Sequence, residues 1–352
     1  MKELFIEKNL LLKNLAVIKH RAGGARLMAV LKNNASGLGL LQMAHFWKEA
    51  GITFFGVGDP ADAAALRTGG FAQEEILLLR STALDYEIEQ LLDLHVIASV
   101  GSQEAAMALS GIAERRGTVA EAHLKVDCGL GRYGFLPQES DKILAVYKYM
   151  QRLAFSGVYT HLPSGLPTKR AARCLADFEQ VLALLRSNKL ETGLVHALGS
   201  TALFGYKNPP QYDMVRVASA ISGRVRGKTG LSQVGVVRAP LTETRWVPAG
   251  HMVGSRTKTR KAVKIGIIPV GYADGFDVDR PERGFGAGVR AFLSAFESPS
   301  VRLENGGELR VLGMAEQNSI VVDLTRVDRP VGTMVWVHSN ALFCGDMPRV
   351  LR

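Results

Sequence analysis

LMAVLKNNASGLG, at residues 27–39, joins a short apolar run to a lysine and a glycine-bearing turn. The five residues before the lysine are typical of a buried strand bounded by turn signals. Lys32 follows them directly, and a lysine is rarely buried unless it reaches water or is held in a site. This stretch therefore predicts a buried strand with a candidate functional side chain, Lys32, at its carboxyl end.

Seven similar runs lie between this strand and residue 217, and helical patterns such as Leu40–Ala50 and Ala171–Asn188 separate many of them. The eight predicted strands are Arg26–Lys32, Thr53–Val57, Glu75–Leu79, Val96–Val100, Glu121–Asp127, Leu153–Thr160, Gly193–Leu198 and Tyr212–Val217. Eight strands alternating with helices predict an α/β fold, a (β/α)8 TIM-type barrel. A doubly wound open sheet is the competing fold, but Gly37-Leu38-Gly39 does not match its glycine-rich phosphate loop.

The pattern changes after about residue 225, because helical periodicity fades and β-branched runs separated by turn residues take over. These runs are Val234–Arg238, Val263–Val270, Glu308–Leu312, Ser319–Leu324 and Thr333–His338. We predict a barrel domain at 1–225 and a C-terminal, mainly-β domain at 226–352, with roughly the first ten residues able to pack on the β domain. Residues 277–307 resemble an insertion with one short helix at Val289–Phe296.

Composition excludes several classes of protein. The chain has 352 residues, 47% of them hydrophobic, without an 18-residue apolar stretch that would predict a membrane span. The cysteines, Cys128, Cys174 and Cys344, are scattered and suggest neither a disulfide framework nor a metal site, and the N-terminus carries acids where a signal peptide is apolar. The predicted location is the cytoplasm, with no metal and no membrane contact.

The net charge is +10, and the densest basic cluster lies at residues 256–264. This charge allows an anionic ligand or nucleic acid, but an exposed, solvated hairpin is the favoured explanation of the cluster. The sequence contains neither a platform of stacking aromatic residues nor a recognition-helix motif. Nucleic acid is therefore an unlikely partner.

Several polar residues fall at the predicted strand ends, and in a barrel that edge holds the active site. Lys125 ends strand five, His161 follows strand six, Ser200 follows strand seven and Arg216 lies in strand eight. Tyr272 lies in Pro269–Gly275, directly after another apolar strand. A lysine and a tyrosine mounted in this way can act as two bases that move a proton between the two faces of one carbon.

These motifs resemble the pyridoxal-phosphate-dependent alanine racemases of the barrel fold type, over nearly the whole chain. The matching stretches are Ala29–Ala35, His123–Gly134, Thr160–His161, Met214–Arg216 and Val270–Gly275. The resemblance implies that Lys32 holds pyridoxal phosphate as a Schiff base and later acts as one base. It implies that Tyr272 is the second acid/base on the opposite face.

The resemblance also implies roles for the surrounding residues. Arg216 would face the pyridine nitrogen, His161 would help orient the tyrosine beside the cofactor, and Ser200 would hold the phosphate. Arg132 would lie near the substrate carboxylate, with Lys125, carbamylated or not, beside it. The family's tyrosine reaches the site of the other subunit, so a head-to-tail homodimer with shared active sites is implied.

The sequence departs from the family pattern around the pocket. Ser36, Leu38 and Gly199 stand where the family usually has tyrosine, histidine and asparagine. Gln317, with Asn318, replaces the Met-Asp pair at the substrate end, and Pro348 falls near the family's gating tyrosine. These changes leave open which amino acid the pocket accepts as its substrate.

The predicted function is interconversion of L- and D-alanine, a step that supplies a peptidoglycan precursor. One alternative is a broad-spectrum or other amino-acid racemase, acting for example on serine or basic amino acids. Another is a non-catalytic pyridoxal-phosphate-binding protein. Tyr272 argues against the last alternative, because a carrier needs a lysine but no opposing base.

Overall fold

The computed structural model describes residues 1–254, 257–278 and 300–352. This part of the chain divides into two compact units. One unit is Leu10–Gln233, and the other combines Met1–Asn9 with Val234–Arg352. The chain starts with strand β1 (Glu3–Ile6) and helix α1 (Lys8–Ala22), neither of which the sequence patterns predicted.

The first unit contains a parallel barrel, which confirms the predicted fold class. Its strands are β2 (Arg26–Val30), β3 (Phe54–Val57), β4 (Glu75–Ser81), β5 (Ile97–Val100), β6 (Ala120–Lys125), β7 (Leu153–Tyr159), β8 (Leu194–His196) and β9 (Met214–Val217). They pair in chain order, and β9 returns to pair with β2. Between β8 and β9 a parallel bridge joins Gly199 to Arg216, so the sheet closes on itself.

Helices alternate with these strands. They are α2 (Lys32–Ser36), α3 (Leu40–Glu49), α4 (Pro60–Thr68), α5 (Asp85–Asp93), α6 (Gln103–Arg115), α7 (Ser140–Tyr149), α8 (Lys169–Ser187) and α9 (Ser200–Gly205). Side chains cap several of them: Asp59 accepts from the backbone N–H of the second residue of α4, and Ser102 and Thr168 accept from those of the third residues of α6 and α8. The barrel interior is filled by apolar side chains from successive strands, among them Met28, Phe54, Leu77, Ile97 and Met214.

The segment that follows β2 has an unusual backbone. Asn33, Asn34 and Ala35 have left-handed φ values of 54°, 54° and 52°, and Ser36 follows at 59°. Left-handed conformation costs a non-glycine residue about 1–2 kcal/mol, less for asparagine. Local hydrogen bonds offset part of that cost, including one from the Leu40 N–H to Asn34 Oδ1 at 2.7 Å. This turn fixes the direction in which the chain leaves Lys32.

The second unit is built on a nine-stranded sheet. Its strands are β1, β10 (Val236–Pro240), β11 (Glu243–Val247), β14 (Val263–Ile268), β15 (Ser300–Leu303), β16 (Glu308–Leu312), β17 (Ile320–Asp323), β18 (Met334–Val337) and β19 (Arg349–Leu351), and a separate hairpin pairs β12 (Met252–Val253) with β13 (Thr257–Lys258). The order is β11-β14-β17-β16-β15-β18-β10-β1-β19. Strand β1 therefore lies between β10 and β19, paired antiparallel to one and parallel to the other.

The predicted insertion at residues 277–307 extends too far towards the C-terminus. Residues 300–303 form β15, which pairs with β16 and β18 inside the sheet, and are not part of an insertion. The predicted helix Val289–Phe296 lies outside the described residues. In the basic cluster, Lys258 at the end of β13 is exposed, and so are Arg260 and Lys261 between β13 and β14. No helix among the described residues is long and apolar enough to cross a membrane.

Candidate functional site

The structure brings most of the predicted site residues together at the carboxyl-terminal rim of the barrel. Lys32 follows β2, Lys125 ends β6, and Arg216 belongs to β9 beside β2. His161 follows β7, and Ser200 is the first residue of α9, after β8. The charges of Lys32 and Arg216 both act on Lys125 and on His161. The rim is therefore a concentrated site of positive charge.

Arg216 is the buried centre of this site. One terminal nitrogen donates to His196 Nδ1 at 2.7 Å, and the other donates to the Thr160 and Ala197 carbonyls at 2.7 and 3.0 Å. The second nitrogen also lies 3.2 Å from His161 Nδ1. Burial lowers the Arg216 pKa only to about 10, so the group stays charged at neutral pH. These bonds use the two terminal nitrogens and leave the Nε–H without a hydrogen-bond partner among the described residues.

Two histidines continue the bonding from Arg216 into the core. Because a guanidinium can only donate, His196 Nδ1 must accept, and the ring proton is assigned to Nε2. His196 Nε2 then donates to His123 Nδ1 at 3.0 Å. Burial, reinforced by Arg216, lowers the pKa of His196 well below its usual value and that of His123 to about 3, so both rings are neutral. The His196 ring also stacks on Tyr159, with centroids 4.7 Å apart.

Lys125 loses its proton more readily than an ordinary lysine. Burial, followed by the charges of Arg216 and Arg132, lowers its pKa from 10.5 to about 7. Its Nζ donates to the Leu79 carbonyl at 2.7 Å and lies over the Tyr159 ring, 5.0 Å from the centroid. An uncharged amine is nucleophilic, so this group can react with a small electrophile.

We expect this lowered pKa to appear in the pH dependence of stability. Between about pH 7 and pH 10.5 the unfolded chain binds the Lys125 proton and the folded chain does not, so the unfolding free energy rises with pH across this window. Lys125→Met should remove that part of the rise. Denaturant unfolding of both proteins at a series of pH values, in carbon-dioxide-free buffer, measures it. Equal pH slopes in the two proteins would contradict the assignment.

The loop after β6 presents Arg132. The Asp127 carboxylate accepts from the backbone N–H groups of Gly129, Leu130 and Arg132, at 2.9, 2.7 and 2.6 Å. A carboxylate that accepts several N–H groups rigidifies a turn, and here the backbone bonds also help to hold the Asp127 pKa low against the opposing effect of burial. The Arg132 side chain is exposed and has no hydrogen-bond or ion-pair partner among the described residues. It is therefore available to an anionic ligand.

Ser200 organises the chain beyond β9. Its Oγ accepts from the Ala218 and Ala220 N–H groups at 2.9 and 3.2 Å. Because both contacts use the oxygen as acceptor, the hydroxyl proton remains available for a ligand oxygen.

Tyr272 and Gln317 belong to the second unit, where the structure places them side by side. Tyr272 begins a 3-10 turn, Tyr272–Asp274, and its side chain is 51% exposed. The Ala273 N–H donates to the Gln317 carbonyl at 3.0 Å, and the Gln317 side chain is exposed. These two residues therefore form a second group of candidate site residues, within the second unit.

Sequence reasoning missed the parts of the site that lie beneath the rim. His196 and His123 each interrupt an apolar strand, and a polar ring in a buried strand is a signal that could have been used. Both are fully buried, and Gly157 provides the space for His123, since a Cβ there would lie 2.6 Å from that ring. No group of three His, Cys, Asp or Glu side chains that could hold a metal ion occurs in the described ranges.

The fold and this rim define a class of protein, a (β/α)8 barrel with a lysine after its first strand and a buried arginine in its last. Residues 6–224 match the family model described as alanine racemase, N-terminal domain. The alanine racemase of Carboxydothermus hydrogenoformans is 31% identical over 288 residues, covering 78% of this chain and 77% of the relative. That of Halothermothrix orenii is 26% identical over 349 residues, covering 93% and 89%.

The chain belongs to the alanine racemase family, and is an isomerase of the racemase class. Solved structures share the fold. The alanine racemase of a D-cycloserine-producing Streptomyces lavendulae superposes with a TM-score of 0.85 at 23% identity, covering 100% of this chain and 97% of that one. The Bartonella henselae alanine racemase with covalently bound pyridoxal phosphate has a TM-score of 0.82 at 22% identity, covering 100% and 99%.

Proposed function

We propose that this protein is a pyridoxal-phosphate-dependent racemase that interconverts L- and D-alanine by a two-base mechanism. The observation that carries the proposal is the barrel rim, where Lys32 shares one positively charged site with Arg216 and its neutral histidine neighbours. Family membership supports the cofactor, because alanine racemases use pyridoxal phosphate.

The residues present fit this cofactor. Lys32 supplies the amine that would hold it covalently. The free Nε–H of Arg216 is a charged donor suited to an acceptor nitrogen, and the Ser200 hydroxyl and the basic rim suit a phosphate. When bound, the cofactor draws electron density away from the substrate Cα and so acidifies its proton.

The protein's own groups would then move that proton. Lys32 would take and return it on one face of Cα, and Tyr272 would do so on the opposite face. Arg216 keeps its own proton because its pKa is about 10 and its terminal nitrogens are all bonded, so it orients a partner without exchanging a proton with it. His161, in contact with Arg216, helps to set the geometry of the cofactor side.

Arg132 and Lys125 would serve the substrate carboxylate. Arg132 offers an unpartnered guanidinium in a loop fixed by Asp127, which suits bidentate binding of a carboxylate. Lys125, with its pKa near 7, can add to carbon dioxide to form a carbamate, with release of one proton. That anion would lie within the electrostatic range of Arg132 and would hold its orientation. Gln317 would line the substrate end.

Arg132→Leu is expected to weaken substrate binding. Loss of a charge-assisted hydrogen-bonded contact costs roughly 1.5–3 kcal/mol, which corresponds to about a ten- to hundredfold rise in KM. Steady-state kinetics with alanine measures this effect. Arg132→Lys keeps the charge but loses the bidentate fork, so its KM should lie between those of Arg132→Leu and the unmodified enzyme. Arg115→Leu, a change at an exposed position of α6, is the control and should match the unmodified enzyme.

The function itself is tested by solvent deuterium exchange at Cα, followed by NMR, with the cofactor-loaded protein. Exchange with inversion for both alanine enantiomers is the expected result. Exchange confined to serine or a basic amino acid would keep the mechanism and change the substrate. Absence of exchange with every amino acid tried, despite bound cofactor, would reject a racemase and favour a carrier.

The proposal extends to assembly and location. A head-to-tail homodimer would bring Tyr272 of each copy to the barrel rim of the other. None of the three buried cysteines forms a disulfide, which is consistent with a reducing compartment, and we propose the cytoplasm, where D-alanine serves as a peptidoglycan precursor.

A further inference from the structure

The turn that carries Tyr272 is tightly constrained by its own unit. The Tyr272 N–H donates to the Glu316 carbonyl at 3.0 Å, parallel to the bond from Ala273 to Gln317. A Cβ on Gly271 would lie 2.2 Å from the Glu316 carbonyl oxygen, so only glycine allows this close approach. The backbone beneath the exposed phenol is therefore held close against the 316–317 segment.

One carboxylate connects this turn to the N-terminal strand. Asp274 Oδ2 accepts from the Gly271 N–H at 3.0 Å. Both carboxylate oxygens also accept from Lys2 Nζ, at 2.6 and 2.8 Å. The Asp274 side chain is only 12% exposed, and that of Lys2 is 32% exposed, so water screens this pair incompletely. Lys2 directly precedes β1, which is fixed in the sheet between β10 and β19.

We propose that Lys2 is a positioning residue for Tyr272, acting through Asp274 on the backbone of the turn. This inference rests on the proposed acid/base role of Tyr272. The ammonium of Lys2 is the only side-chain cation bonded to the Asp274 carboxylate among the described residues. Without it, the nearly buried carboxylate keeps only the Gly271 N–H as a donor in the described part of the chain, and it is driven towards water. That movement would loosen the bond to Gly271, the residue directly before Tyr272.

The test compares Lys2→Met with Glu3→Gln. Glu3 pairs with Arg238 at 3.3 Å and is similarly half-buried, so Glu3→Gln removes an ion pair from the same strand without touching the turn. We expect Lys2→Met to lower kcat about ten- to hundredfold with KM nearly unchanged, because a displacement of about 1 Å costs up to that much. Lys2→Arg should recover much of the rate, and Glu3→Gln should leave kcat unchanged.

A second measurement on the free protein separates positioning from general destabilisation. Hydrogen–deuterium exchange of the Tyr272 and Ala273 amides should accelerate in Lys2→Met and not in Glu3→Gln. Each variant is measured at the same temperature interval below its own Tm, so that a difference in overall stability does not cause the effect. Equal kcat and equal amide exchange in Lys2→Met and the unmodified protein would overturn the inference. An unmodified protein that shows no racemisation would instead overturn the proposed function, and the amide exchange result would still test the link between Lys2 and the turn.

Discussion

Lys32→Ala is expected to remove the visible absorbance of covalently held cofactor and to abolish racemisation. The substitution deletes both the amine that binds the cofactor and one of the two proposed bases. Proton transfer by one positioned group contributes about 10²–10⁴ in rate, so the combined loss should reach roughly 10⁴-fold or more. Absorbance spectra and alanine racemisation, measured on the same reconstituted samples, provide the readouts.

The control is Lys13→Ala, which removes an exposed lysine from α1. It should reproduce the spectrum and the rate of the unmodified protein. If Lys32→Ala kept an unaltered spectrum, a different lysine would hold the cofactor and the assignment to the strand end would be wrong.

Tyr272→Phe is expected to keep bound cofactor and lower racemisation by about 10²–10⁴-fold, because the phenol is the proposed acid/base on one face of Cα. The decisive readout is solvent deuterium at Cα without inversion. The enantiomer whose proton faces Lys32 should still exchange with retention, and the other should stop exchanging.

Net conversion cannot reveal this asymmetry. The two enantiomers have equal free energies in water, so kcat/KM must fall equally in both directions. Tyr149→Phe, at a 65% exposed position of α7, is the matched control and should leave both exchange rates unchanged. Rapid exchange of both enantiomers by Tyr272→Phe would reject the two-base mechanism.

The barrel was predictable because its eight strands are short apolar runs separated by amphipathic helices. This pattern is visible in the local sequence without knowledge of tertiary contacts. Strands β1 and β11 were not predicted, because their own sequences lack such a pattern. Glu3–Ile6 has only four residues, and Glu243–Val247 is a polar edge strand with an exposed Trp246. Neither shows a clear alternation of apolar and polar residues, and each becomes a strand through its partners in the sheet.

The candidate site was also predictable only in part. Lys32, Lys125, His161 and Ser200 were predictable because each follows or ends a strand, and a barrel gathers those ends at one rim. Arg216 was predictable as a charged residue within the last, otherwise apolar strand of the barrel. The bonds beneath them were not predictable. His123 and His196 are separated by 73 positions in sequence, and Lys2 and Asp274 by 272. Contacts this distant in sequence follow from strand register and side-chain rotamers, which a single sequence does not reveal.

The position of β1 has a consequence for synthesis on the ribosome. Leu4 pairs in register with Val237 on one side and with Arg349 on the other, so β1 cannot complete its pairing until β19 has been synthesised. The strands of the barrel pair in chain order, so the barrel can assemble as the chain emerges from the ribosome. The nine-stranded sheet is completed only after β19 has been synthesised. The barrel rim that carries Lys32 can therefore form before the sheet that supports the turn of Tyr272 is complete.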